Sequence, residues 1–416
     1  MNNLSLQGRS PWQSQTFLGK FNFPIIVLLI IVSLTLSFSQ NPSSQLVSAN
    51  NDFGFQLFSE LIRQHDIKNM MVSPTSIAMA LAMTYNGADR TTKEAMAKTL
   101  GVSDLDLKEF NQSNLDLKKS LTKTDKKITL SIANSLWADK RIQFKKEFVN
   151  ANKKYYSAQV STLDFASPKS VNTINQWVSK STKGKIPKII DQIGEDVIAY
   201  LINAIYFKAD WQKAFDKKLT SPKIFYCLDG TKKEHPMMHQ ENRFPYFETD
   251  KFQAIGLPYR NNAMSMYIFL PREKSSTPEF LKQLNYENWQ KWLPQFRLTN
   301  GDITLPKFKL EFGKSLKDIL KAMGMEIAFD DTLANFTKMA SSQLNGNIYI
   351  GDVIHKTFIE VAEQGTEAAA VTAVQMEIKA IAMDQFSMTI DRPFFYAITD
   401  NTTNSILFMG IVTEPK

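Results

Sequence analysis

Residues 199–207 read AYLINAIYF, nine positions that are almost all apolar and rich in β-branched and aromatic side chains. No turn former interrupts them. A run this short and this apolar reads as a β-strand covered on both faces. A strand of that kind needs a sheet with packed material on each side. Helical patterns dominate the first part of the chain and strand patterns the later part, which argues for an α+β fold with large sheets.

The chain can support such a core. It has 416 residues, 43% of them hydrophobic and 11% aromatic. No linker interrupts residues 51–416, which are expected to form one large domain. Cys227 is the single cysteine, so the domain has no intramolecular disulfide and no zinc site of paired cysteines. The formal charge of +8 is spread without a dense basic run. That describes a lysine-rich surface and gives no footprint for nucleic acid.

The N-terminus carries a different signal. Residues 25–32 are unbroken apolar sequence, extended through Leu34, Leu36 and Phe38, with Arg9 and Lys20 ahead of them. Ser37 and Ser39 suit a signal-peptidase site before Gln40. The run is short for a membrane-spanning helix. Residues 1–39 are therefore read as a signal peptide, with secretion to an extracellular or periplasmic location. The alternative is an uncleaved membrane anchor. Residues 40–50 (QNPSSQLVSAN) are polar and read as a linker.

Beyond it, Phe53, Leu57, Phe58, Leu61 and Ile62 recur at helical spacing. Ser73–Pro74 opens a second helix, with proline in a first turn where a missing N–H costs nothing. Residues 108–123 read as an exposed helix and residues 172–178 as another. Strands are expected at 128–137, 254–257, 264–270 and 303–310. A helix over 316–323 should stop at Gly324. Two last strands, 394–399 and 406–412, flank the turn-rich DNTTN of 400–404.

Catalytic signatures are missing. The four histidines, His65, His235, His239 and His355, show no HExxH spacing. No serine sits in a GxSxG elbow. His235 and His239 lie four apart, but the following Pro236 breaks the helix that would make them a metal pair. Cys227 has no neighbour that would activate it.

The unusual segment is 360–383, EVAEQGTEAAAVTAVQMEIKAIAM. At a strand period of two, one face carries Thr366, Ala368, Ala370, Thr372, Val374 and Met376. The other carries Glu367, Ala369, Val371, Ala373, Gln375 and Glu377. All charge falls on one face, and the residues of the other are small enough to slip between existing strands. Pattern alone favours an ordinary edge or central strand.

Glu363 followed by Gly365-Thr366-Glu367-Ala368-Ala369-Ala370 resembles the hinge of inhibitory serpins. The likeness extends from about Asn51 to Pro415. Asn69 to Ile77 (NMMVSPTSI), with Gly87-Ala88, resembles that family's second helix. Residues 172–185 (NTINQWVSKSTKGK) are similar to its sixth helix. Leu201 to Trp211 (LINAIYFKADW) resembles its central strand, and LPKF at 305–308, DRPFF at 391–395 and LFMG at 407–410 match further signatures.

The resemblance implies a serpin-like α+β fold with three β-sheets, about nine helices and an exposed reactive-centre loop at about 365–389. It implies an irreversible suicide-substrate inhibitor of serine proteases, not an enzyme. A protease would attack the loop and form an acyl-enzyme. The cleaved hinge would then insert into the main sheet and trap it in a covalent 1:1 complex. A non-inhibitory carrier, chaperone or storage protein is the alternative. Ser73, Pro74, Ser76, Asn203 and His355 would sit where the sheet opens. Trp211, Thr220 and Lys307 would sit where the loop enters, with a Lys307–Glu363 ion pair ordering the hinge. Counting sixteen positions from Glu363 puts the reactive bond at Lys379–Ala380, which suits trypsin-like enzymes. Counting back from Pro393 puts the bait at Ala382 or Met383. A monomer is implied, with no cofactor, no metal and no nucleic-acid partner. Lys118, Lys119, Lys123, Lys126 and Lys127 offer weak polyanion binding.

Overall fold

The doubly apolar run forms β5 (Ala199–Asp210), whose first nine residues are all buried. The structure is a computed structural model and describes residues 42–122, 128–194, 197–342, 346–366 and 385–416. Elements are numbered here in chain order. The nine α-helices among the described residues are α1 (Pro42–Gln64), α2 (Pro74–Tyr85), α3 (Arg90–Leu100), α4 (Leu107–Thr122), α5 (Lys146–Ala151), α6 (Pro168–Ser181), α7 (Thr277–Gln283), α8 (Tyr286–Trp292) and α9 (Lys317–Leu320).

Three sheets accompany them. The six-stranded sheet runs β11 (Phe308–Ser315), β13 (Asp352–Ala362), β14 (Gly365–Thr366), β5, β2 (Thr129–Asp139), β4 (Gln159–Leu163). The nine-stranded sheet runs β1 (Met70–Val72), β17 (Ile406–Val412), β16 (Phe394–Asp400), β9 (Met264–Pro271), β8 (Phe252–Pro258), β7 (Lys232–Glu248), β10 (Arg297–Pro306), β15 (Gln385–Thr389), with β6 (Ser221–Tyr226) paired to β7. A small pair joins β12 (Ala340–Ser342) to β3 (Ile142–Phe144).

β5 is buried twice for a visible reason. Leu201, Ile205 and Phe207 face the main core, with α1, α2 and the nine-stranded sheet. Ile202, Ala204 and Tyr206 face a second cluster, closed by Ile174 and Val178 of α6 and by Ile186 and Ile190 after it. Every residue of α2 is buried. It runs beneath the six-stranded sheet, and its Pro74 lies so close to α1 that a Cβ on Gly54 would come within 2.5 Å of it.

Four expectations change. Residues 42–50 are not a linker: they form the first turns of α1, with Leu46, Val47 and Asn50 buried. Leu46 and Val47 fall at helical spacing from Asn50 and Phe53, so the apolar stripe starts before Phe53. Residues 303–310 are not one strand. Pro306 cannot donate to a ladder, and the chain crosses there from β10 in one sheet to β11 in another. Helix α4 is only partly exposed, because Phe110, Asn111, Asn114, Leu117 and Leu121 are buried. Asn111 exchanges hydrogen bonds with Asn86 and accepts one from Tyr156. The span 365–389 is bounded by strands at both ends: β14 lies inside the six-stranded sheet, and β15 pairs in parallel with β10.

Candidate functional site at a seam in the six-stranded sheet

β5 and β13 run parallel and pair directly from Tyr200–Asp352 to Tyr206–Phe358. Beyond that point β14 lies between them. Thr366 pairs with Val361 on one side and Ala209 on the other, and Gly365 pairs with Ala362 and Asp210. The seam is closed along its length and opened at one end by two residues of the hinge.

Those two residues fit their places. Gly365 has φ +149°, and a Cβ there would overlap the Ala209 carbonyl and lie 2.6 Å from the Asp210 Cα. Only glycine passes at that approach. Thr366 is fully buried. Its Oγ1 lies 2.7 Å from the Tyr259 Oη. The Tyr259 ring stacks on Trp211, with centroids 4.5 Å apart and planes at 9°. Burial pushes the Tyr259 hydroxyl well above its ordinary pKa, partly offset by Thr366, so it acts as a neutral partner.

Trp211 and Lys307 hold the approach to the hinge. The indole N–H of Trp211 donates to the Ala362 carbonyl at 3.0 Å, and its backbone N–H donates to Gln364 O at 2.8 Å. Lys307 pairs with Glu363 at 3.1 Å, and Thr220 Oγ1 donates to Glu363 Oε1 at 3.1 Å. Burial would raise the Glu363 pKa. Its backbone hydrogen bond, Lys307 and Thr220 together outweigh that, and the carboxyl stays below its ordinary value.

The middle of the seam holds a buried polar cluster. The Ser73 backbone N–H donates to His355 Nε2 at 3.2 Å. That leaves the proton on Nδ1, which donates to Asn203 Oδ1 at 2.5 Å. Asn203 Nδ2 in turn reaches Ser76 O at 3.1 Å, Ser76 Oγ and Asn134 Oδ1. Desolvation takes the His355 pKa down to about 3, so the ring is neutral. Asn203 sits on β5 and His355 directly opposite on β13, so their bond crosses the seam. Ser73 takes part through its backbone alone; its hydroxyl is buried with no partner among the described residues.

Sequence reading missed Tyr259 and Asn134. Asn134 was visible among the apolar residues of β2 as the polar exception, whereas Tyr259 follows β8, far from the hinge in sequence. Glu367, Ala368, Ala369, Ala370, Lys379, Ala380, Ala382 and Met383 lie outside the described residues, as do residues 1–41. Of the expected basic set, Lys118 turns inward and donates to the Tyr156 carbonyl, and burial lowers its pKa to about 8. Lys119 is exposed, and Lys123, Lys126 and Lys127 lie outside the described residues.

Comparison with known proteins places the seam in a family. The family model described as Serpin (serine protease inhibitor) matches residues 48–415. The chain belongs to the serpin family. A serpin-like protein of Methanosarcina mazei is 37% identical over 391 residues, covering 89% of this chain and 88% of its own. The leukocyte elastase inhibitor of Xenopus laevis is 35% identical, with 89% and 99% covered. Among solved structures, the thermophilic serpin tengpin in its native state matches with a TM-score of 0.83 at 34% identity, covering 88% of this chain and 94% of that one. Human thyroxine-binding globulin with thyroxine also gives 0.83, at 28% identity with 90% and 100% covered. Native protease nexin-1 with heparin gives 0.80, at 27% identity with 90% and 100% covered. The expected serpin fold, with its helices and three sheets, is present. The serpin relatives thus include both an elastase inhibitor and a thyroxine-binding protein.

Proposed function

We propose that this serpin is a secreted, irreversible suicide-substrate inhibitor of serine proteases, with trypsin-like enzymes as its targets. The observation that carries the reading is the seating of Gly365 and Thr366 between β5 and β13. It supports insertion because the rest of the path follows by register. Each further residue of the hinge steps one place down both neighbours. Ala368 would then lie between Phe207 and Ile359, Ala370 between Ile205 and Thr357, Thr372 between Asn203 and His355, and Val374 between Leu201 and Val353. All of these flanking residues are buried toward the main core. Even-numbered hinge residues therefore enter the core, and they are small or β-branched.

The odd-numbered face would not meet open water along its whole length. Val371 would lie between Ala204 and Lys356, on the side covered by α6. Ala369, Val371 and Ala373, the uncharged middle of that face, suit the position. In the reaction, the protease's serine attacks the bait carbonyl and the peptide bond breaks, leaving an acyl-enzyme. The freed hinge exchanges one β5–β13 ladder for two, each new hydrogen bond contributing about 1 kcal/mol. The tethered protease is carried along, and distortion of its site prevents deacylation. The proposed reactive bond is Lys379–Ala380, with Ala382 or Met383 as the alternative bait.

A carrier role is the second reading, favoured by the likeness to thyroxine-binding globulin. Polyanion binding rests on the likeness to protease nexin-1 solved with heparin, and the inward turn of Lys118 leaves it weak. Titration with trypsin, followed by denaturing electrophoresis, tests the inhibitor reading. A one-to-one complex that survives SDS supports it. Cleavage without any complex favours the carrier.

A further inference from the structure

Leu219, Ile224, Tyr226 and Leu228 are four of the six large apolar side chains that stand exposed among the described residues. They belong to one stretch, β6 and the turns at its ends. Along β6 the odd-numbered Phe225 and Cys227 are buried, while Pro222, Ile224, Tyr226 and Leu228 point outward. The stripe is roughly 20 Å long. A strand apolar on both faces is normally covered on both, and here the outer face is bare among the described residues.

The stripe lies between the two stems of the reactive loop. Thr220, just before β6, bonds Glu363 on the stem that leads into the loop. At the other end, the Tyr226 backbone N–H donates to Asp391 O at 2.7 Å, on the stem that leads out of it. A protease domain of about 200 residues has a radius of gyration of ~17 Å, so its footprint is wider than the stripe is long. An enzyme seated on the loop would overhang β6.

Resting on the inhibitor reading above, we infer that the Pro222–Ile224–Tyr226–Leu228 face is an exosite that grips the target protease before cleavage. Its make-up is that of an interface: an apolar centre with a polar rim of Lys217, Lys218, Lys232 and Glu234. The Lys232 ammonium lies 5.5 Å from the centre of the Tyr226 ring, holding the aromatic side chain in the patch. A second copy of this chain is the less suitable occupant. The free edge of β6 carries Pro222 and Lys223, which oppose strand-to-strand pairing.

The test uses the full-length protein with trypsin and pancreatic elastase. Ile224→Asp combined with Tyr226→Asp is compared with wild type and with Leu333→Asp, a change at an exposed leucine that touches neither stem. The double variant should associate at least tenfold more slowly with whichever protease wild type traps faster. Its stoichiometry should not change, and Leu333→Asp should behave as wild type. Tyr226→Ala, with a smaller loss of rate, serves if the double variant does not fold. Equal rates for wild type and variants, with complexes still formed, would overturn the exosite and leave the inhibitor reading standing. Absence of any complex from wild type would overturn both.

Discussion

His355 and Asn203 face each other across the β5–β13 seam, joined by a hydrogen bond of 2.5 Å from imidazole Nδ1 to amide Oδ1. Strand insertion must break this bond, because the register places Thr372 between the two residues. On the proposed mechanism the hydroxyl of Thr372 would then serve both, and the cluster would be rebuilt around the new strand instead of being left unsatisfied. The same polar group both closes the seam and receives what opens it.

The neutrality of His355 gives the first prediction. Its folded pKa is about 3, against an ordinary 6.5. Between those values the unfolded chain binds a proton that the folded one does not, so stability falls as pH drops from 6.5 toward 3. His235, also lowered mainly by burial, contributes with the same sign. The comparison is therefore made with His355→Gln, which can still bond Asn203 but does not titrate. Between pH 6.5 and 4.5 the urea midpoint of wild type should fall more than that of the variant. Parallel curves would remove His355 as the cause.

A second prediction concerns the hinge itself. Thr366 is fully buried against Tyr259, with no room and no counter-charge for a cation. Thr366→Arg would have to bury an unpaired guanidinium wherever this strand is seated, before cleavage as well as after it. The variant should be cut at the same bond as wild type but yield free protease and no trapped complex. Full inhibition by this variant would contradict the register.

Removing Lys307 should loosen the hinge without touching the seam below it. In Lys307→Ala the Glu363 carboxylate keeps Thr220 but loses its only charged partner among the described contacts. A loss of about 1–3 kcal/mol is expected from urea unfolding, with faster hydrogen exchange at Gly365 and Thr366. Because Glu363 is held below its ordinary pKa, its contribution is present above 4.5 and is lost as pH falls through the folded value. The difference between wild type and variant should therefore shrink in acid.

Gly365→Ala tests the same strand sterically. With φ at +149° and the Ala209 carbonyl in the way, alanine cannot keep both ladders. Limited proteolysis should cut this variant between 363 and 367, where wild type resists. Equal resistance would mean that the two-residue strand is not held as described.

What sequence disclosed and what it hid follow from range. The double burial of β5, the proline-started α2 and the hairpin of β16 and β17 are local patterns, and each is where its pattern put it. The start of α1 was hidden because its polar residues outnumber Leu46 and Val47, and propensity is overruled there by packing. β7 was hidden by its charges and by Pro236 and Pro245, which stand where neighbouring ladders begin: pairing with β10 starts at Met237 and pairing with β8 at Tyr246. The pairing of Lys307 with Glu363 was legible only through the resemblance, since 56 positions separate them. Tyr259 under Thr366 needed the fold, because no periodicity connects residues 107 positions apart.

The central claim is that residues beyond Thr366 become a new strand in the six-stranded sheet. Its most direct measurement is the thermal unfolding of the protein before and after proteolytic cleavage of the loop. A new strand with two ladders should raise the melting temperature by something on the order of 20 °C, with Thr372 protected from hydrogen exchange. An unchanged or lower melting temperature after cleavage, with Thr372 exchanging freely, would contradict it.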